Sequence, residues 1–280
     1  MLARAAVGQY AGSAACQKCH QAEFAGHAKS GHARALNPAP PEMKADWAFG
    51  SGLQAVTYVS RLDDEHYVEH GLSLYTATGK LDLTPGHRNS NGERYRIFDP
   101  SAAILRCFQC HSTGALRLES GSRILPAEPG VQCEACHGPG AAHAQSLKPI
   151  RNPKRMSADE INNLCGACHR MPASAGGDTD WTNPWNARHQ PLYLAGSACF
   201  LRSRGALSCI TCHAPHQQVS RDASFYNQRC ASCHASPKHR NAVSGACSSC
   251  HMPAVSPGPH LRFANHWIGV YAKDRPLRPR

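Results

Sequence analysis

The pattern CxxCH recurs along this chain and constrains its fold more than any other sequence feature. Seven copies use fourteen of the fifteen cysteines. From the chain's own cysteine and histidine content, chance would supply roughly 0.05 copies in total. Motifs one to seven, in chain order, are Cys16-Cys19-His20, Cys107-Cys110-His111, Cys133-Cys136-His137, Cys165-Cys168-His169, Cys209-Cys212-His213, Cys230-Cys233-His234 and Cys247-Cys250-His251.

The spacing within each motif suits covalent attachment of a haem. Positions i, i+3 and i+4 of a helix share one face. Two thiols there can each add to a vinyl group of one porphyrin, while the histidine reaches the iron from the same side. CxxCH is the attachment pattern of c-type haem, with histidine as the proximal ligand. The sequence therefore predicts seven covalently attached haem c groups.

Two other uses of paired cysteines fit less well. Structural zinc sites also pair CxxC units, but they need no histidine after each one, whereas all seven motifs have it. A thioredoxin-like redox pair would be single and close to a strand-helix-strand unit. The odd cysteine, Cys199, is expected to be a small buried residue. A haem ligand or an intermolecular disulfide remains the alternative for it.

The density of motifs predicts the fold class. With 280 residues for seven motifs, there is one haem for about every 40 residues, so porphyrins would form much of the core. We therefore expect a mainly α, haem-packed fold with extensive loops. Ser157 and Glu160 form a capping-box pattern before motif four, and Asp222 could cap the helix that leads to motif six.

The long interval between motifs one and two predicts an insert. Apolar, aromatic and β-branched residues at 54–61 and 67–76 flank the polar turn 63–65, which is typical of a β-hairpin. We expect this small hairpin to pack over the haems. The sequence suggests a first haem-binding segment at 1–40, the haem-free insert at 41–100 and a six-haem region at 101–280, together forming one compact unit.

Four segments resemble the cytochrome c-554 family of multihaem proteins. They are residues 16–33 (CQKCHQAEFAGHAKSGHA), 130–143 (GVQCEACHGPGAAH), 207–216 (LSCITCHAPH) and 247–253 (CSSCHMP). The resemblance implies closely stacked haems, mostly bis-histidine iron, and a role in respiratory electron transfer. The chain departs from the tetrahaem members because it has seven motifs, so individual haem roles do not transfer.

Eleven histidines lie outside the motifs and could supply the sixth iron ligands. This supply exceeds seven, which favours bis-histidine coordination throughout. The resemblance favours His32, His143 and His216. Because His216 is so close to His213, it is expected to bind the iron of a neighbouring haem. The set is completed by His87, His189, His239 and His266, with His27 and His260 as reserves.

The basic charge of the chain is explained by haem and does not indicate nucleic-acid binding. The formal net charge is +11, but each ferric haem with its propionates adds about −1. Lysines and arginines are therefore expected to partner propionates, and nucleic-acid binding is not expected because no aromatic-interleaved basic surface is visible.

No apolar run reaches the length of a transmembrane helix. Residues 1–15 do not form a convincing signal peptide, yet thioether formation predicts a periplasmic or extracellular protein.

Three functions remain open from the sequence. An electron carrier would dock redox partner proteins briefly at exposed haem edges. A subunit of a cytochrome filament or larger redox complex would contact copies of itself or other subunits. A multihaem oxidoreductase would act on a small nitrogen or sulfur compound at a five-coordinate haem. The CxxCK signature of nitrite reductases is absent, and no catalytic residue can be assigned, so an electron carrier is favoured.

Overall fold

The structure is a computed structural model. It describes residues 9–64, 66–85, 95–98, 103–119, 123–170, 180–235, 237, 239 and 245–280. The chain divides into two compact units. Unit 1 comprises Met1–Pro153 together with Pro215–Gln218, and unit 2 comprises Lys154–Ala214 and Val219–Arg280.

Unit 1 combines short helices with antiparallel strands. Its described elements are α1 Ser13–Gln17, α2 Gln21–His27, β1 Leu36–Pro38, β2 Trp47–Phe49, β3 Ala55–Arg61, β4 Tyr67–Tyr75, β5 Lys80–Leu83, β6 Tyr95–Phe98, α3 Ala103–His111, β7 Ser112–Glu119, β8 Arg123–Pro129, α4 Cys133–His137 and α5 Ala141–Ser146.

The largest sheet is built around β4. Strands β1 to β5 pair in chain order, and β6 also pairs with β4. One edge of β4 pairs with β3, with a register shift between Thr57 and Val59. The other edge pairs with β6 near Tyr67 and with β5 near Tyr75. Strands β7 and β8 form a separate two-stranded sheet.

The core of unit 1 joins the large sheet to the helix of motif two. Phe108, inside the CFQCH sequence, is fully buried. Its ring packs edge-on against Phe49 at 5.0 Å and Trp47 at 5.6 Å between centroids, and lies 6.3 Å from Tyr67. The Tyr67 hydroxyl accepts a hydrogen bond of 2.8 Å from the backbone N–H of Ile124. The sheet therefore holds motif two in place.

The expectation of a mainly α fold with a small hairpin insert is wrong. The hairpin strands lie near the predicted positions, as β3 and β4, but they belong to a six-stranded sheet. Haem density limits how large an apolar core can be, but it does not fix the conformation of segments between motifs. Here those segments bury aromatic and aliphatic side chains between strands and α3, which stabilises a sheet.

Unit 2 is mostly helical in its described part. Its elements are α6 Ala158–His169, α7 Gln190–Ala195, α8 Ala198–Arg202, α9 Cys209–Cys212, α10 Ala223–Ala231, α11 Cys247–His251, β9 Ala254–Val255 and β10 Phe263–Ala264. An aromatic cluster supports it: the Trp181 ring lies 4.8 Å from Trp267 and 5.1 Å from the buried Tyr193.

The helix starts in unit 2 confirm the predicted caps. The Ser157 Oγ accepts a hydrogen bond from the N–H of Glu160, and the Glu160 carboxylate accepts one from the N–H of Ser157 at 2.7 Å. Asp222 accepts a bond of 2.8 Å from the N–H of Ser224. Among the described residues, no helix combines the length and apolar character needed to cross a bilayer.

Candidate functional site

The motifs adopt the helical turn that haem attachment requires. In motifs one, five and six, the histidine N–H donates to the carbonyl of the first cysteine at 2.9 to 3.0 Å. This closes one α-turn between positions i and i+4. All fourteen motif cysteines are half-buried or exposed. The two thiols and the histidine of each such turn can therefore be reached by one porphyrin.

Four motif histidines each face a second imidazole from outside the motifs. The ring centroids are 6.4 Å apart for His20 and His143, and 6.0 Å apart for His137 and His216. The same arrangement recurs in unit 2, where the centroid distance is 6.2 Å both for His213 with His266 and for His239 with His251.

These distances match two imidazoles on opposite sides of one metal ion. An imidazole nitrogen binds a transition metal at about 2.0 Å, which places two ring centres roughly 6.3 Å apart across the metal. Direct ring stacking would bring the planes much closer together. The four pairs are therefore spaced for an iron between them.

Hydrogen bonding fixes the tautomer of many of these imidazoles. A carbonyl oxygen only accepts, so a ring nitrogen that contacts one carries the proton and leaves the other nitrogen with its lone pair. Metal-bound histidines are oriented in this way. Five histidines donate a hydrogen bond of 2.8 to 3.0 Å from Nδ1 to a backbone carbonyl. The pairs are His111 with Ala35, His137 with Arg151, His143 with Lys148, His251 with Gly269 and His266 with Ala264.

Motif four uses a side chain for the same purpose. The Nδ1 of His169 lies 3.2 Å from the Oε1 of Gln190. Gln190 directly follows the buried His189 in the chain. In His111, His137, His143, His251 and His266 the bonded nitrogen is Nδ1, so Nε2 is the nitrogen that can act as a metal ligand.

The surroundings of His216 and His266 also favour the neutral imidazole. Burial lowers the pKa of His216, and the neighbouring His137 lowers it further. Burial lowers the pKa of His266 to about 4, with His213 as the second cause. A neutral imidazole has the lone pair that binds iron, whereas a protonated imidazole does not.

The other candidate histidines lie in different places. His32 is in the turn after α2, where its carbonyl accepts a bond of 2.9 Å from the N–H of Val131. His189 is 4% exposed and precedes α7. His260 lies between β9 and β10 with φ of 63°. His87, a predicted ligand, lies outside the described residues.

Three further histidines have structural partners. The Nε2 of His27, a reserve candidate, lies 2.9 Å from the carbonyl oxygen of Val131. In the hairpin, His66 bonds to Asp63 at 2.9 Å, and the His70 Nε2 lies 2.7 Å from the Ser60 Oγ. These contacts account for their positions without a haem.

The motifs come together in pairs through their first cysteines. The helices that carry these cysteines contact each other in pairs, α1 with α4 in unit 1, and α6 with α9 and α10 with α11 in unit 2. Within the pairs Cys16 lies near Cys133, Cys165 near Cys209 and Cys230 near Cys247. Motifs one and three, four and five, and six and seven therefore have neighbouring attachment points.

The carboxylates of one buried and one half-buried glutamate hold motif one beside motif three. Glu134, within the third motif, is 4% exposed and accepts hydrogen bonds from the N–H groups of Ala11, Gly12 and Gly140 at 2.6 to 2.9 Å. Glu128 accepts one of 3.1 Å from the N–H of Ser13, the first residue of α1. Neither carboxylate was predicted from the sequence.

The unpaired cysteine lies among motif cysteines. Cys199 is half-buried in α8, and burial raises the pKa of its thiol. The neighbouring Cys233 raises the pKa of Cys199 further, and Cys199 adds to the effect of burial in raising the pKa of Cys212. Its position is therefore near the attachment points of motifs five and six.

Comparison with known proteins confirms the resemblance seen in the motifs. The family model for cytochrome c554 and c-prime matches residues 85–138. The multiheme cytochrome MtrA of Shewanella baltica (strain OS185) is 27% identical over 141 residues, which cover 44% of this chain and 36% of that protein. The chain thus spans about a third of the length of this curated relative.

Two solved structures share the fold. The outer cell wall cytochrome OcwA has a TM-score of 0.60 and 16% identity, covering 93% of this chain and 79% of its own. The undecaheme cytochrome from the S-layer of Carboxydothermus ferrireducens has a TM-score of 0.51 and 18% identity, covering 82% and 43%. The chain has a multihaem cytochrome fold, and its relatives support haem c as the cofactor.

Proposed function

We propose that this chain carries seven haem c groups and functions in electron transfer. The observation that carries the proposal is the spacing of four motif histidines from four other imidazoles, at 6.0 to 6.4 Å between ring centroids. An iron held between two imidazoles has no open position for a substrate. It can still change oxidation state, so this geometry favours a carrier over an enzyme.

Each part of a motif has a separate role. The two cysteines would hold the porphyrin edge through thioether bonds, and the motif histidine would bind the iron. His143, His216, His266 and His239 would supply the sixth ligand opposite His20, His137, His213 and His251. For the remaining motif histidines, His111, His169 and His234, we propose the remaining candidates His32, His87 and His189.

When bound, each haem would supply one-electron chemistry between ferric and ferrous iron. The protein sets how that chemistry is used. Carbonyl partners on Nδ1 increase the basicity of the histidine ligands and hold their rings in place. Contacts between the motif helices bring two attachment points together in three motif pairs, which would shorten the distance between their redox centres.

We place the protein in respiratory electron transport in the periplasm or outside the cell. Thioether attachment takes place beyond the cytoplasmic membrane, and solved relatives are described as cytochromes of an outer cell wall and of an S-layer. Its partners would be redox proteins that dock in small, salt-sensitive contacts.

Film voltammetry of the haem-loaded protein tests the proposal. We expect reversible uptake of one electron per motif, seven in all, with a current unchanged by nitrite or hydroxylamine. A catalytic current with either compound would contradict the carrier function and favour an oxidoreductase. Cyanide is the matched probe for an open iron, and it should leave the reversible signals unmoved.

A further inference from the structure

The helices that lead into motifs four and six repeat one arrangement. Each begins at a cap eight residues before the first cysteine of its motif, Ser157 in α6 and Asp222 in α10. Each also has an asparagine three residues before that cysteine, Asn162 and Asn227. The shared positions include no part of CxxCH, so attachment chemistry alone does not explain them.

Both asparagines make the same two contacts with the following motif. The Asn162 Oδ1 accepts from the N–H of Cys209 at 3.0 Å, and its Nδ2 donates to the carbonyl of Leu207 at 3.3 Å. The Asn227 Oδ1 accepts from the N–H of Cys247 at 2.8 Å, and its Nδ2 donates to the carbonyl of Gly245 at 3.1 Å. Each amide therefore binds the first cysteine and the residue two positions before it.

These contacts meet a need of short helices. Cys209 and Cys247 are the first residues of α9 and α11, and N–H groups in the first turn have no acceptor within their own helix. The asparagine of the preceding motif helix supplies that acceptor. Asn162 is only 4% exposed, so the loss of its partners would leave a buried amide without hydrogen bonds.

The asparagine contacts coincide with the thiol contacts. An asparagine binds the next motif in two of the three motif pairs. In these pairs Cys165 lies near Cys209 and Cys230 lies near Cys247. In each haem-loaded pair, these sulfurs would be bonded to the rims of two porphyrins. The Asn162 Oδ1 also accepts a bond of 3.2 Å from the Cys209 thiol, and thioether formation would remove that bond. The bonds of both asparagines to the backbone do not involve sulfur and would remain after attachment.

We propose that Asn162 and Asn227 are positioning residues that set the spacing between the paired redox centres of motifs four and five and of motifs six and seven. This inference rests on the proposed attachment of haem at these motifs. An amide suits the task because each site presents one donor and one acceptor. In the pair of motifs one and three, the groups that bind Glu134 and Glu128 are all donors, namely backbone N–H groups and the Ser13 hydroxyl, which suits carboxylates and not amides.

The test replaces each asparagine by leucine, which is similar in size and makes no hydrogen bonds. Asn163→Leu is the matched control for Asn162→Leu, because Asn163 is exposed on the same helix, and Gln228→Leu is the control for Asn227→Leu. Haem content by intact mass is measured first, followed by EPR of the oxidised protein. Neighbouring ferric centres couple magnetically, and the coupling depends on their separation.

We expect all seven haems to remain attached in both leucine variants, with a new uncoupled low-spin signal that accounts for the two haems of the affected pair. The control variants should match the wild type. The variants Asn162→Asp and Asn227→Asp keep the acceptor for the cysteine N–H and should recover part of the coupling.

Unchanged coupling with full haem content would overturn the positioning role and leave the proposed function intact. If Asn162→Leu fails to fold, Asn227→Leu at the more exposed position decides the question by the same criterion. A wild-type protein without haem at these motifs would instead overturn the proposed function itself.

Discussion

Replacing His143 or His216 with alanine is expected to convert one haem from low-spin to high-spin. His143 faces His20 at 6.4 Å between centroids, and His216 faces His137 at 6.0 Å with ring planes only 14° apart. If each pair holds one iron, loss of the distal imidazole leaves that iron five-coordinate. The measurement is EPR of the oxidised variant, where one haem equivalent should move from the low-spin to the high-spin signal.

The matched control for these variants is His66→Ala. His66 is an exposed hairpin residue bonded to Asp63, and its removal should leave the spectrum unchanged. Free imidazole added to His143→Ala or His216→Ala should restore the low-spin signal, because the small cavity left by alanine can admit it. A low-spin spectrum that survives both alanine substitutions would refute the two ligand assignments.

Replacing Phe108 with alanine is expected to lower the free energy of unfolding of the protein by about 3 to 5 kcal/mol, as for other large aromatic side chains in a core. The Phe108 ring is fully buried against Trp47, Phe49 and Tyr67. Its removal leaves a cavity between the large sheet and α3, where motif two lies. Urea denaturation followed by far-UV circular dichroism measures the change.

Leu118→Ala provides the comparison for Phe108→Ala. Leu118 is 55% exposed on β7, and truncation there should change the free energy of unfolding by less than about 0.5 kcal/mol. Similar losses of stability in the two variants would show that the packing around Phe108 is not what stabilises unit 1.

The local signals in the sequence predicted the local structure well. The capping box at Ser157 and Glu160 and the cap at Asp222 were visible because each depends on residues three or fewer positions apart. The large sheet was not predicted, because β1 and β2 have three residues each and show no periodicity alone. Their conformation depends on the pairing of β1 with β2 and of β2 with β3, and on the apolar surface of α3.

The sequence suggested candidate ligands but not the motif histidine that each one faces. The sequence favoured His143, His216, His239 and His266, yet it could not say which motif histidine each one faces. The hydrogen bond from His251 to the carbonyl of Gly269 was not predictable either, because it depends on the tertiary path of the eighteen residues that follow the motif. The asparagine three residues before both Cys165 and Cys230 is a sequence signal of the contacts between neighbouring motifs.

The pairing of motifs is also a tertiary property. Two pairs, motifs four and five and motifs six and seven, join motifs that are consecutive in the chain. Motif one instead pairs with motif three, although motif two lies between them in the sequence. Glu134 explains this exception, since its carboxylate binds the backbone at Ala11 and Gly12 just before α1. The sequence shows a glutamate inside the third CxxCH motif, but it does not show which backbone N–H groups that glutamate binds. The pairing of motif one with motif three could therefore not be predicted.

The most direct test of the central claim is EPR of the fully oxidised wild-type protein, beside a haem count from its intact mass. The proposed carrier should gain the mass of seven haems and give only low-spin ferric signals, some of them magnetically coupled. A smaller number of haems, or a high-spin signal that shifts when nitrite, hydroxylamine or cyanide is added, would contradict a fully ligated electron carrier.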